Sequence, residues 1–105
     1  MYKLKKISEI KDIDEKVAVI GRVKDIGEKI KVEDDSGEIL VSLRKNSNDV
    51  QLNINSKVLV FGTTKLTPKG IIILGNVVVV DDADEELLME FEDIIQKLNK
   101  KNKIN

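Results

Sequence analysis

The sequence predicts a mainly β chain, a small five-stranded barrel followed by a C-terminal α-helix. Three observations carry that expectation. Five segments rich in β-branched residues are separated by turn chemistry. The first of them has a glycine in its middle, the mark of a bulge or sharp bend within a strand. After residue 81 the hydrophobic pattern changes from the strand period of two to the helical period of 3.6. Residues 1–80 are therefore assigned to the barrel, 81–100 to an amphipathic helix that packs on the barrel or on a partner, and 101–105 to a tail.

A short lead, "KISEIKDI", spaces its apolar residues without declaring an element. The first strand is "KVAVIGRVKDI", residues 16–26, bent at Gly21. "EKIKVE" alternates strictly, with Ile30 and Val32 on one face and Lys29, Lys31 and Glu33 on the other. "EILVSLR" follows, with Ile39, Val41 and Leu43 sharing a face, so these two strands form a hairpin turned at Asp34 to Gly37. Residues 45–56 are polar and irregular, and Ser47 or Asn48 is placed to cap one helical turn. "KVLVFGTTKL" is the fourth strand, "TPKG" the turn, and "IIILGNVVVV" the fifth strand.

The last segment reads as a helix of roughly four to five turns. Leu88, Phe91, Ile95 and Leu98 make one stripe, with Leu87 and Ile94 beside it. Asp82 with Glu85 forms a capping box, and Lys97, Lys100 and Lys101 suit the C-terminal end of the dipole. The stripe is wider than one seam requires. The first, fourth and fifth strands are apolar on consecutive residues, hence on both faces, and a small barrel fills only its inside. Their outer faces need a cover, so the helix packs on its own barrel, on another chain, or on both.

With 105 residues there is room for one domain and one modest core. The chain has neither cysteine nor histidine. Disulfides, thiolate metal sites, cysteine nucleophiles and the usual general base are thereby excluded. No segment is long and apolar enough to span a bilayer and the start has no signal-peptide run, so a reduced, cytoplasmic setting is expected. The formal net charge is −1, so any nucleic-acid surface must be a local patch rather than a basic domain.

The acidic stretch "EDDSG" decides whether an enzyme is expected. It lacks the spacing of a calcium loop, and adjacent Asp34 and Asp35 on a turn point apart, unlike paired hydrolytic carboxylates in a cleft. Asp and Ser suit turns because their side chains bond the local backbone, and Gly37 is expected to supply a positive φ. The stretch is read as a corner. No phosphate loop, nucleophile elbow or metalloprotease helix is present. The expectation is no enzyme, no metal and no cofactor.

Five strands with a bent first strand and a connector between the third and fourth give the layout of an OB-fold barrel. Such barrels bind oligonucleotides on the wet face of the second and third strands, between the loops joining strands one to two and four to five. That face would present Lys29, Lys31, Leu40, Ser42 and Arg44, with Lys24, Lys65 and Lys69 from the loops and Arg22 just after the bend. Cations serve phosphates, whereas bases need flat partners. Only Tyr2, Phe61 and Phe91 are aromatic, and Phe61 alone lies in the barrel, as a candidate stacking residue or as core.

"VAVIGRVKDI", "KVEDDSGEILVSL", "SKVLVFGTTKLTPKGIIIL" and the acidic lead into a helix together resemble the OB-fold subunits of replication protein A and their archaeal relatives, over residues 7 to about 98. In detail the chain is most similar to the single-OB, middle-sized subunit of the eukaryotic trimer. The resemblance implies single-stranded DNA binding in replication, repair or recombination, within a hetero-oligomer held by a bundle of C-terminal helices. It places Arg22, Lys29, Lys31, Ser42 and Arg44 on the strand path, and Leu87, Leu88, Phe91, Ile95 and Leu98 against partner helices. The chain departs from strong binders of that family in lacking aromatic residues on the barrel face. Three readings stay open: a binding module of modest single-strand affinity, an assembly subunit whose barrel is scaffold, and a module for transfer RNA.

Overall fold

The computed structural model describes residues 2–44 and 51–80; the segments 45–50 and 81–105, and with them the expected helical turn at Ser47 or Asn48 and the expected C-terminal helix, lie outside the described residues. Among the described residues six strands run in order: β1 (Lys3–Leu4), β2 (Lys16–Ile26), β3 (Ile30–Asp34), β4 (Gly37–Leu43), β5 (Lys57–Thr67) and β6 (Gly70–Val79). A single 3-10 turn, Ile7–Glu9, lies between β1 and β2. Neighbours in the sheet follow the order β1-β2-β3-β4-β6-β5, and β5 pairs back onto β2 to close a five-stranded barrel. Only β1 adds to the strands expected from sequence. It has two residues and pairs parallel with Val17 and Ala18, too short for any periodicity to betray it.

Closure depends on the length of β2. Residues Lys16 to Arg22 pair antiparallel with β5, and Arg22 to Ile26 pair with β3. The strand therefore changes partner at Gly21 and Arg22. A Cβ on Gly21 would stand 2.6 Å from the Glu33 carbonyl oxygen, so glycine is needed there for the approach of β3. The register shift itself falls between Val23 and Asp25, at Lys24, which moves the bulge three residues beyond the glycine that signals the bend. Across the barrel, Gly62 of β5 and Gly75 of β6 stand directly opposite each other. A Cβ on Gly75 would lie 2.1 Å from the Phe61 carbonyl oxygen. These two positions let the longest hairpin coil tightly.

Alternate residues fill the interior. Val17, Val19, Val23, Ile30, Val32, Ile39, Val41, Val58, Val60, Ile73 and Val77 form one buried cluster, and Ile7 of the 3-10 turn caps it. The intervening residues of β2 and β5 make a second, outer cluster of Ala18, Leu59 and Phe61 with Val80, against which Tyr2 and Ile20 pack. Tyr2 meets Phe61 edge-to-face at 5.8 Å between ring centroids, a favoured aromatic geometry. Thr64 is the one polar residue fully buried among the described residues. Its hydroxyl donates to the Asp12 carbonyl at 2.7 Å and accepts from the Glu15 amide at 3.0 Å.

The corner "EDDSG" is a hairpin turn with Asp35 and Ser36 at its tip, since Asp34 pairs with Gly37. Positive φ angles occur at Asp14, Asn55 and Gly70 among the described residues and not at Gly37. The corner is held instead by Asp34. One carboxylate oxygen accepts from the Ser36 amide at 2.7 Å, the Ser36 hydroxyl at 2.6 Å and the Gly37 amide at 3.0 Å. The other accepts from the Ile7 amide at 2.8 Å, and the Ser8 amide donates to the Ser36 hydroxyl at 2.9 Å. This corner thus latches the 3-10 turn over the end of the barrel. Burial works against the Asp34 charge, but the Ser36 hydroxyl and the amides of Ile7, Ser36 and Gly37 outweigh it and hold its pKa below the usual 3.8.

Candidate nucleic-acid interface

The outward face of β3 and β4 is built by strict alternation. Ile30 and Val32 point into the core opposite Val41 and Ile39, so Lys31 stands beside Leu40 on the outside and Glu33 beside Glu38. Two loops rise at one end of this face. The β2–β3 loop carries Gly27, Glu28 and Lys29, closed by the Gly27 amide donating to the Lys29 carbonyl at 3.1 Å. The β5–β6 turn carries Pro68 and Lys69, and it is fixed by the Thr67 hydroxyl, which donates to the Gly70 carbonyl at 2.8 Å and accepts from the Lys69 amide at 3.3 Å. Gly70 sits at φ 118°, a conformation that glycine adopts without strain.

Between the loops lies an open cleft, with Leu40 as its apolar floor, Asp25, Glu28 and Lys29 on one wall and Pro68 and Lys69 on the other. Lys29 and Lys69 are exposed, and neither ammonium is engaged by an ion pair among the described residues. A pair of loops, an apolar floor and two ammonium groups outside any ion pair can hold a flat or apolar group below and an anion at each side.

The expected site residues divide into two sets. Lys29, Leu40 and Lys69 come together in the cleft, Lys31 adjoins Leu40, Ser42 follows Leu40 two residues along β4, and Arg44 lies just past the end of that strand. Arg22, Lys24, Lys31, Lys65 and Phe61 already have partners within the barrel. Arg22 donates from Nη1 to the Asn55 carbonyl at 3.0 Å, tying β2 to the connector before β5. Lys65 bonds Asp14 at 2.7 Å. Lys24 lies 3.8 Å from Glu33, and Lys31 lies 3.7 Å from Glu38. Phe61 is 9% exposed in the outer cluster on β5 with Tyr2 against it, so the barrel's one aromatic candidate belongs to packing and not to the β3–β4 face.

This face is not purely basic. Lys24, Lys29, Lys31 and Lys69 share it with Asp25, Glu28, Glu33 and Glu38, one acid for each lysine, while Arg22, in register with Glu33, and Arg44 add two further cations. The signal was present: alternation that turns Lys31 outward turns Glu33 outward as well. The described residues contain no group of three or more acids that could hold a metal ion, and no helix among them is long and apolar enough to cross a membrane.

No protein-family model matches this sequence, and no curated protein matches it. Solved structures do. The barrel is similar to a chain of a replication protein A heterotrimer bound to single-stranded DNA, with a TM-score of 0.59 at 23% identity, over 80% of this chain and 72% of that one. It is similar to the OB domain of MM0293 from Methanosarcina mazei, with a TM-score of 0.63 at 16% identity, over 79% and 88% of the two chains. The fold is an OB-fold. The telomere capping protein Ten1 from Saccharomyces pombe shares it over 94% of this chain and 96% of its own, with a TM-score of 0.54 at 15% identity. In this OB-fold the cleft lies between the loop after the first barrel strand and the loop joining the fourth and fifth, where the architecture characteristically takes oligonucleotides.

Proposed function

We propose that this chain is a non-catalytic OB-fold subunit of a replication protein A-like complex that binds single-stranded DNA in replication, repair or recombination. One observation carries the reading: the OB cleft is formed, floored by Leu40 and flanked by the unengaged Lys29 and Lys69. The fold neighbours include a single-strand-bound heterotrimer and a telomere capping protein, which supports a partner of OB type and a nucleic-acid ligand. The proposed setting is intracellular, where such a ligand is found.

A second reading, an assembly subunit with little affinity of its own, draws on two observations. The face carries as many acids as lysines, and Phe61 is enclosed by packing. Salt dependence separates the two. Titration of the full chain into a fluorescein-labelled oligothymidine should show binding at low salt that weakens as salt rises. Replacing Lys29 and Lys69 with Ala should reduce the slope of log affinity against log salt by roughly 1.4, at about 0.7 per lost phosphate contact. Binding with an unaltered slope removes the cleft from the site, and no binding at low salt leaves the assembly reading in possession.

A further inference from the structure

On the face just described, Glu33 of β3 and Glu38 of β4 stand directly opposite each other. Like charges in that relation destabilise a sheet, and the barrel core makes no use of either side chain, since both point away from it. What they engage is lysine. Lys24 Nζ is 3.8 Å from Glu33 Oε1, and Lys31 Nζ is 3.7 Å from Glu38 Oε2. Neither lysine lines the cleft itself: Lys31 stands beside its floor residue Leu40, and Lys24 lies with Arg22 and Glu33 toward the Asp34–Asp35 corner.

We infer that the opposed Glu33–Glu38 pair is a built-in competitor for phosphate, holding Lys24 and Lys31 in the free protein and keeping the intrinsic single-strand affinity of this face low. The inference rests on the nucleic-acid reading above and adds the regulation of that site. The distances are too long for tight hydrogen bonds, and both pairs are solvent-exposed, with side chains 38% to 51% accessible. The ammonium groups can therefore swing to a phosphate without any change in the sheet. The carboxylates stay behind, within a Debye length of the arriving backbone, and repel it. A strand is then retained only when a neighbouring binding module already holds it and raises its effective concentration at this face. The ligand class is a single-stranded polyanion presented by a second module, rather than a free oligonucleotide.

The double variant Glu33→Gln/Glu38→Gln tests this, because it removes both charges and keeps the shape. Titrated with the same labelled oligothymidine, it should bind about tenfold more tightly than the parent at low salt, a change of roughly 1.4 kcal/mol. Its salt slope should steepen by roughly 1.4, because Lys24 and Lys31, no longer paired in the free protein, each release counterions on meeting a phosphate. A charge-matched control, Glu9→Gln/Asp12→Asn, lies off this face and should leave the slope unchanged. Thermal unfolding of each variant verifies that the barrel is intact. An equal gain in both double variants would reduce the effect to overall charge and overturn the inference. Parent-like affinity and slope in Glu33→Gln/Glu38→Gln, with the slope still reduced on replacing Lys29 and Lys69, would overturn it while leaving the nucleic-acid reading standing. No binding by either protein at low salt would overturn both.

Discussion

The two outer faces of this barrel obey the same alternation and end up as opposites. On β2 and β5 the outward residues are Ala18, Leu59 and Phe61, all buried, with Tyr2 packed on them. On β3 and β4 they are Lys31, Glu33, Glu38 and Leu40, exposed or half-buried and laced by ion pairs. The strands of the first face read as continuous apolar runs and those of the second as clean alternation. A barrel of this size has room inside for one set of side chains only, so an apolar outward residue marks a place where something else lies on the sheet. The comparison explains why a chain with so few aromatics spends two of them, Tyr2 and Phe61, away from the cleft. On the dressed face an aromatic ring contributes burial, whereas on the bare face it would have only a ligand to cover it.

The comparison breaks most visibly at Phe61. Replacing it with Ala should destabilise the fold by about 3 kcal/mol, the scale of an aromatic truncation in a packed cluster, and leave the salt slope of oligonucleotide binding unchanged. Chemical denaturation and anisotropy titration measure the two quantities. A stable variant with lost binding would return Phe61 to the ligand face. Next in size is the latch at the barrel end. Asp34→Asn removes the charge that gathers the amides of Ile7, Ser36 and Gly37, and should cost about 1–3 kcal/mol near neutral pH.

The pH dependence has a definite sign. The Asp34 pKa is lowered in the folded chain, so its contribution is present above the ordinary value of 3.8 and is lost as pH falls through the lower, folded value. Stability of the parent should therefore decline across that acid window, and the gap to Asp34→Asn should close there. A gap that persists at the lowest pH would mean that shape, not charge, makes the latch. The smallest effect is expected on the bare face. Lys31→Ala breaks an exposed pair with Glu38 and should change stability by less than about 0.5 kcal/mol, which a denaturation midpoint resolves. A larger loss would show that the β3–β4 pairs are structural and not held for a ligand.

Much of this was legible in the chain itself. The 16–26 strand has the boundaries read from its β-branched run, and the corner at Asp34–Gly37 and the turn at Pro68 and Lys69 follow from turn chemistry. Gly21 marked the bend but not the bulge, because a glycine reports the close approach of Glu33 while the register shift at Lys24 is set by how β3 pairs beyond it. β1 was invisible, since two residues have no period. The turn does not use the positive φ expected of Gly37, because the hydrogen bonds of Asp34 hold the corner in its place. Arg22 and Lys65 are expected as ligand cations from their places after the bend and near the turn joining the fourth and fifth strands. Their partners, the Asn55 carbonyl and Asp14, stand 33 and 51 residues away in sequence, beyond the reach of any local pattern.

The sequence by itself determined which residues are core and which are wet, since alternation on β3 and β4 and continuous apolar runs on β2, β5 and β6 follow from the period of a pleated strand. By lacking histidine and cysteine it also removed the thiol and imidazole chemistries. Only the tertiary structure decided which charges remain free. Pairing set Glu33 opposite Glu38, brought Lys24 and Lys31 to them, and left Lys29 and Lys69 without an ion pair in the cleft that Leu40 also lines. Period is a property of one strand, whereas the state of a charge depends on the neighbours that closure of the barrel brings within a few ångströms.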